Sequence, residues 1–393
     1  MNTRERFLAT MNFEPVDHIP LIEWDYWIDT WSTWKSQGAP LRSDGELGIN
    51  KAGDEEKKGG WNPFSRVIGP SLPLNLDAKV NFTLETGIQR VPLNSFVCPL
   101  FESKVLEERD NVIISQDERG MIREDKKGQE TLWNIIAAPV RDRESWERIK
   151  AERLAIDIRG RLPDNWEQVK KELKKRDYPL AIGGHSALCG FFHPLRYLLG
   201  PERLLMGFYD EPDLIKDIMN HLADLQIYLF DKVLSEINVD LGFACEDLGY
   251  KTGPFISPAL FVEFVKPCYE RLTDMLRGHG IDIMFVDNDG AITSLIPEFI
   301  EAGVTAIGPM EVAAGMDVVE VRKAFPNLQI IGGIDKRKLA AGKQAIDEEL
   351  EYKVPEVIKT GGYIPTCDHS VPPTVSWENF CYYRERLAEL AKI

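Results

Sequence analysis

Thiols, clustered positive charge and long apolar runs are all scarce in this chain, and each shortage removes a class of function. The six cysteines (98, 189, 245, 268, 367 and 381) are scattered, with no CxxC pair, which excludes a dense disulfide framework and fits reduced thiols in a cytoplasm. A formal net charge of −16 argues against a nucleic-acid surface, because phosphate contacts need clustered Lys and Arg. No stretch approaches the roughly 20 apolar residues of a membrane span. The opening MNTRERFLATMNFEPVDHIP is too polar for the apolar core of a signal peptide. Neither a GxGxxG nor a Walker loop occurs, so no nucleotide cofactor is indicated. The expectation is a cytoplasmic protein with no nucleic-acid and no membrane partner; whether it forms a homo-oligomer is left open by the sequence.

What the chain does have is one rule repeated along its second half. A short apolar run ends abruptly in a carboxylate or histidine, and a helix-like stretch follows. The segments are Pro179–His185, Val239–Asp247, Ile281–Asp289, Val304–Glu311, Leu328–Asp335 and Gly361–His369. Continuous apolar runs between helices are the pattern of parallel strands buried on both faces. In a (β/α)8 TIM barrel the C-terminal strand ends converge on one mouth, where active sites of that fold lie. The expected architecture is therefore α/β: a (β/α)8 barrel in one domain over residues 1–393, with an elaborated part at 1–178 and regular βα units at 179–393.

The elaborated part reads less regularly. Thr3 followed by Arg4–Met11 predicts a capped first helix. Trp24, Trp27, Trp31 and Trp34 are spaced 3, 4 and 3, which a helix would place on one stripe, serving either core packing or an aromatic wall over the mouth. Residues 38–95 read as loops and short helices. Residues 102–125 alternate with period two around turn signals at Arg109-Asp110-Asn111 and Glu118-Arg119-Gly120, predicting an antiparallel β-meander. Residues 142–177 read as charged helix with a solvated face, carrying Trp146 and Trp166.

At the strand ends, Asp287 and Asp289 are two apart, so an extended backbone projects both to one face; alternatively Asp289 caps the next helix. Glu246 and Asp247 close another strand and are candidates for acid–base or substrate-anchoring roles. His185 precedes a Ser186–Gly190 loop suited to an anion, or is an ordinary polar strand end. His193-Pro194 reads as a helix start, with Arg196 following as a substrate-binding candidate. Cys245 and Cys367 adjoin these ends, so either could be a ligand, and Asp335-Lys336 reads equally as a rim ion pair.

Several stretches resemble the uroporphyrinogen decarboxylase superfamily: Arg4–Phe7 through Glu14–Pro20, Leu204–Met206 with Phe208–Pro212, Asp247–Gly249 with Gly253-Pro254 and Ile256–Pro258, Glu311 with Ala313–Asp317, Gly332–Asp335, and Gly361–Tyr363 through Val371–Pro373. The superfamily implies a (β/α)8 barrel and either porphyrinogen decarboxylation or metal-dependent methyl transfer involving corrinoid proteins. The Arg-rich loop of the decarboxylases should follow the opening helix, yet that place reads Glu23-Trp24-Asp25-Tyr26-Trp27, acidic and aromatic. Such a run would repel a polycarboxylate instead of clamping it with guanidinium pairs.

The methyltransferase branch resembles this chain more closely. Its His-x-Cys pair and later Cys correspond to Asp287-x-Asp289 and His369, and Glu311 matches a Glu that completes the site. The resemblance thus implies a divalent metal, zinc foremost, on Asp287, Asp289, His369 and Glu311. Within that reading the strand-end residues Glu246, Asp247 and His185 are the catalytic candidates, and Trp24, Trp27, Trp31 and Arg196 the candidates for binding a small methyl donor. No DxHxxG-type corrinoid sequence occurs, so the corrinoid would arrive on a partner protein. A decarboxylase of another carboxylate and a binding barrel without turnover are the competing readings.

Overall fold

Six apolar runs fold as predicted, into parallel strands of one sheet. The computed structural model describes residues 1–40, 84–127, 134–184 and 188–392. Most of the expected elaboration at 38–95, and His185, lie outside the described residues. In chain order the strands are β1 (Gln89–Arg90), β2 (Lys104–Glu108), β3 (Val112–Gln116), β4 (Ile122–Lys126), β5 (Asn134–Ala137), β6 (Leu180–Gly183), β7 (Leu241–Cys245), β8 (Gly249–Tyr250), β9 (Gly253–Pro254), β10 (Met284–Asp287), β11 (Ala306–Gly308), β12 (Gln329–Ile331) and β13 (Tyr363–Ile364). One parallel sheet runs β1-β6-β7-β10-β11-β12-β13. Helices such as Pro212–Leu234, Lys266–Gly278 and Lys343–Ile358 connect its strands.

The sheet curls, because one inner cluster collects side chains from nearly every strand: Ala181, Leu241, Phe243, Phe285, Ala306, Ile331 and Ile364. Alternate residues of the same strands, Ile182, Ala244, Met284, Val286, Ile307 and Ile330, face the outer layer of helices. That is the period-two division of a strand covered on both sides. Between β1 and β13 the segment Ile19–Trp24 adds Ile22 and Trp24 to the inner cluster, tied by Glu85 N–H donating to the Leu21 carbonyl at 3.1 Å. The arrangement is compatible with the expected (β/α)8 barrel.

The meander is present and one strand longer than predicted, an antiparallel sheet in the order β2-β3-β4-β5. Its first two turns fall at the two signals, and Gly120 adopts φ +88°, a conformation favouring glycine. Three local expectations are corrected. The first helix, Thr3–Met11, is capped by Asn2 and not by Thr3: the Asn2 side chain accepts from Glu5 N–H while Glu5 reaches back to Asn2 N–H. Trp146 and Trp166 are buried within the outer core, so the charged stretch at 142–177 carries apolar anchors on its inner side. The four Trp do not form one helical stripe, because the helix begins only at Ile28. Trp31 and Trp34 pack edge-on to each other at 5.6 Å, with Trp34 against Phe380 of the C-terminal helix Trp377–Leu390 at 4.5 Å, whereas Trp24 enters the inner cluster beside Phe285. No helix among the described residues is long and apolar enough to cross a membrane.

Candidate functional site

Strand register builds the mouth. Cys245 at the end of β7 pairs with Asp287 at the end of β10, and both continue the inward-facing parity of Phe243 and Phe285. Asp247 follows at φ +47°, a left-handed conformation unusual for a side chain larger than glycine. That turn directs its carboxylate back to the same place. Asp247 Oδ2 lies 2.9 Å from His193 Nδ1 and 3.3 Å from Arg196 Nη1, and Oδ1 lies 3.8 Å from Cys245 Sγ. Ligand atoms of His193, Cys245 and Asp247 all fall within 4.8 Å of one another.

Glu246 points the other way, as its position between two inward residues requires. Its side chain is fully buried, and it accepts from the backbone N–H groups of Phe191 (2.7 Å), Phe192 (2.6 Å) and His193 (3.1 Å) and from the Tyr269 hydroxyl (2.6 Å). Four donors saturate both oxygens, so the acid–base role expected of Glu246 does not fit; it anchors the helix His193–Leu199. Gly190 permits this packing, since a Cβ there would stand 2.5 Å from the Cys245 carbonyl oxygen. The loops after β7 and β10 also meet backbone to backbone, where a Cβ on Gly249 would lie 2.2 Å from the Asp289 carbonyl oxygen.

Nearer the surface, Asp289 Oδ2 and His369 Nε2 are 3.4 Å apart. They line a cleft of about 390 Å³ with Trp27, Glu311, Lys336 and Arg337. The Trp27 ring lies 6.1 Å from that of His369. Lys336 Nζ is 3.0 Å from Glu311 Oε1 and 3.7 Å from Asp368, while Arg337 is paired with Asp335 at 2.8 Å. Glu311 also accepts from Gly290 N–H at 3.3 Å, so its anticipated ligand role would compete with two partners. Asp368 does not orient His369. Buried, it accepts from Val312 and Lys336 N–H groups at 2.9 and 3.1 Å.

The electrostatics follow from crowding acids in a half-buried place. Asp287 is held well above the usual carboxylate range, first by burial and then by the charges of Asp289 and Asp247. The Cys245 thiol is raised well above its usual value by burial and by Asp247, Asp287 and Asp289. For His369 burial works downward, but the hydrogen bond and charge of Asp289 prevail and push it up to about 9.

Of the anticipated site residues, Asp247, Asp287, Asp289, His369, Glu311, Arg196 and Trp27 share this mouth. Trp24 and Trp31 do not line the cleft: they are 6% and 8% exposed and serve cores. His193 and Cys245 are the residues that sequence reasoning undervalued. The only available signal was the inward parity of Cys245; nothing local links His193 to a strand end 52 residues away. The family model described as uroporphyrinogen decarboxylase (URO-D) matches residues 134–389. No curated protein matches the chain.

Proposed function

The chain belongs to the uroporphyrinogen decarboxylase family, and from that premise we propose that it is a metal-dependent methyltransferase, moving a methyl group from a small donor to a corrinoid on a separate protein. One observation carries the reading. The mouth is acidic, with Asp247, Asp287 and Asp289 gathered at Cys245 and the two imidazoles, and its cations Arg196, Lys336 and Arg337 are each paired to a carboxylate. A tetrapyrrole bearing many carboxylates would have to break those pairs and face the remaining acids.

Imidazole, thiol and carboxylate within 4.8 Å form an N/S/O donor set that suits zinc, and the ligands anticipated from sequence, Asp287, Asp289, His369 and Glu311, stand beside it. A divalent ion bound among these donors would supply Lewis acidity toward the methylated heteroatom. The side chains do the rest. Trp27 offers a flat apolar face beside His369, fitting a methoxylated arene. His369, paired with Asp289 at 3.4 Å, is placed to give a proton to the heteroatom as its bond to the methyl carbon breaks, and Asp289 steadies the ring. The bonding pair stays on the heteroatom, and a reduced corrinoid, as the methyl acceptor, would supply the two electrons of the new bond.

The test is methylation of reduced cobalamin, followed by its absorbance change, with methoxylated aromatics and methylamines as donors. Methyl transfer from any of them supports the proposal. Release of carbon dioxide from uroporphyrinogen without methyl transfer would replace it with the decarboxylase reading.

A further inference from the structure

The mouth offers two places for a metal ion, and they differ in depth and chemistry. We propose that the ion sits at the deeper one, on His193, Cys245 and Asp247, as a zinc site with a sulfur ligand, and not on the Asp289–His369 rim. The proposal rests on the metal dependence argued above and decides where that dependence resides.

Distances favour the deeper trio. Zinc bonds of about 2.0–2.3 Å in a tetrahedron set ligand-to-ligand edges of roughly 3.3–3.8 Å. The edges present are 2.9 Å for His193–Asp247 and 3.8 Å for Cys245–Asp247, with all three ligand atoms inside 4.8 Å. Small side-chain shifts would meet the ideal. At the rim, Asp289 and His369 make a pair at 3.4 Å, and among the described residues no third donor closes on them within the same limit.

Each deep ligand is also fixed by an independent device. Cys245 is set by its pairing with Asp287. Asp247 is turned inward by its left-handed backbone, the kind of outlier that functional sites retain. His193 is held through its backbone N–H by Glu246 and through its ring by the Tyr197 ring at 5.2 Å, edge to face. His193 and Cys245 are 3% and 1% exposed, whereas the Asp247 side chain keeps 24% of its surface open. An ion there would be gripped by two buried ligands and approached from the side on which Asp247 is exposed, leaving a position open as a catalytic zinc requires. Two anionic ligands, the Asp247 carboxylate and the Cys245 thiolate, balance the charge of a divalent ion, and the thiol proton passes to solvent on binding.

Cobalt(II) added to the metal-free full-length protein tests the assignment without any methyl donor or corrinoid. The expected result is a thiolate-to-cobalt charge-transfer absorption that Cys245→Ser abolishes and that Asp289→Asn and His369→Ala retain. Asp247→Asn should weaken cobalt binding at least tenfold and so covers the case in which Cys245→Ser does not fold. Cobalt binding without a sulfur band, a band that survives Cys245→Ser, binding lost in Asp289→Asn or His369→Ala, or no binding at all would each overturn the proposal. An intact Cys245-dependent band in a protein that transfers no methyl group would instead keep the site and discard the function.

Discussion

Replacing Glu246 by Gln separates an anchoring carboxylate from a proton-transferring one. Oε1 accepts from Phe191 N–H and the Tyr269 hydroxyl, and Oε2 from Phe192 and His193 N–H. An amide must turn its NH2 toward one of these pairs. Placed toward Tyr269 it can donate to the hydroxyl oxygen, but Phe191 N–H then faces another donor and is left buried and unpaired. An orphaned buried donor costs about 1–3 kcal/mol, and the remaining bonds lose their charge assistance, so a total of about 3 kcal/mol is expected. The assay is urea unfolding with an unchanged slope and a lowered midpoint. Tyr269→Phe, which removes one of the four donors and leaves Oε1 still bonded to Phe191 N–H, should cost less, about 1.5 kcal/mol. Because Glu246 also holds His193, zinc affinity should fall along with stability. A Gln variant that unfolds at the wild-type midpoint and binds zinc normally, but does not turn over, would refute this reasoning and return Glu246 to acid–base work.

Three further outcomes follow from the mouth and the Trp segment. In the metal-free protein His369 titrates at about 9, above the roughly 6.5 of an unfolded chain, so its pairing with Asp289 stabilises fully below pH 6.5 and is lost as pH rises through 9. The contribution is at most about 3 kcal/mol, reduced by partial solvent access, and urea unfolding from pH 6 to 10 should show it in wild type and not in His369→Gln. Trp27→Ala, at an exposed ring lining the cleft, should raise the KM for an aromatic donor about tenfold while stability and metal content stay unchanged. Trp31→Ala removes a core side chain and should cost about 3–5 kcal/mol in unfolding experiments; a donor-specific KM effect at wild-type stability would contradict its place in the core.

Much of the curled parallel sheet was legible because burial on both faces leaves an unmistakable trace, an apolar run with no polar alternation. The family was legible too, from motifs spread over nearly the whole chain. The site was legible only as far as strand parity reaches. Phe243, Cys245 and Phe285, Asp287 follow from counting by twos, and the same count applied to Glu246 would have turned it outward. Asp247 escapes that count, because its positive φ breaks the alternation and returns a second acid to the mouth. The Trp spacing misled for a related reason: 3, 4, 3 describes a stripe only if one helix holds all four, and the helix starts after Trp27. His193 was correctly placed at a helix start, but its partner lies across the fold, and contacts of that range leave no periodic mark.

The pairing of Cys245 with Asp287 makes the ligand chemistry of this mouth a matter of reading frame. In a parallel strand, lengthening the run by one residue exchanges the two faces while the apolar character that holds the strand survives. A single inserted codon within Leu241–Cys245 would therefore turn the thiol outward and leave Ala244 in its place, removing the sulfur donor and leaving carboxylates better suited to magnesium or manganese. The same event would strip the helix at His193 of its anchor. An evolutionary shift in metal preference along this route needs compensation in the 190s loop, and relatives that carry a lengthened strand should show both changes together.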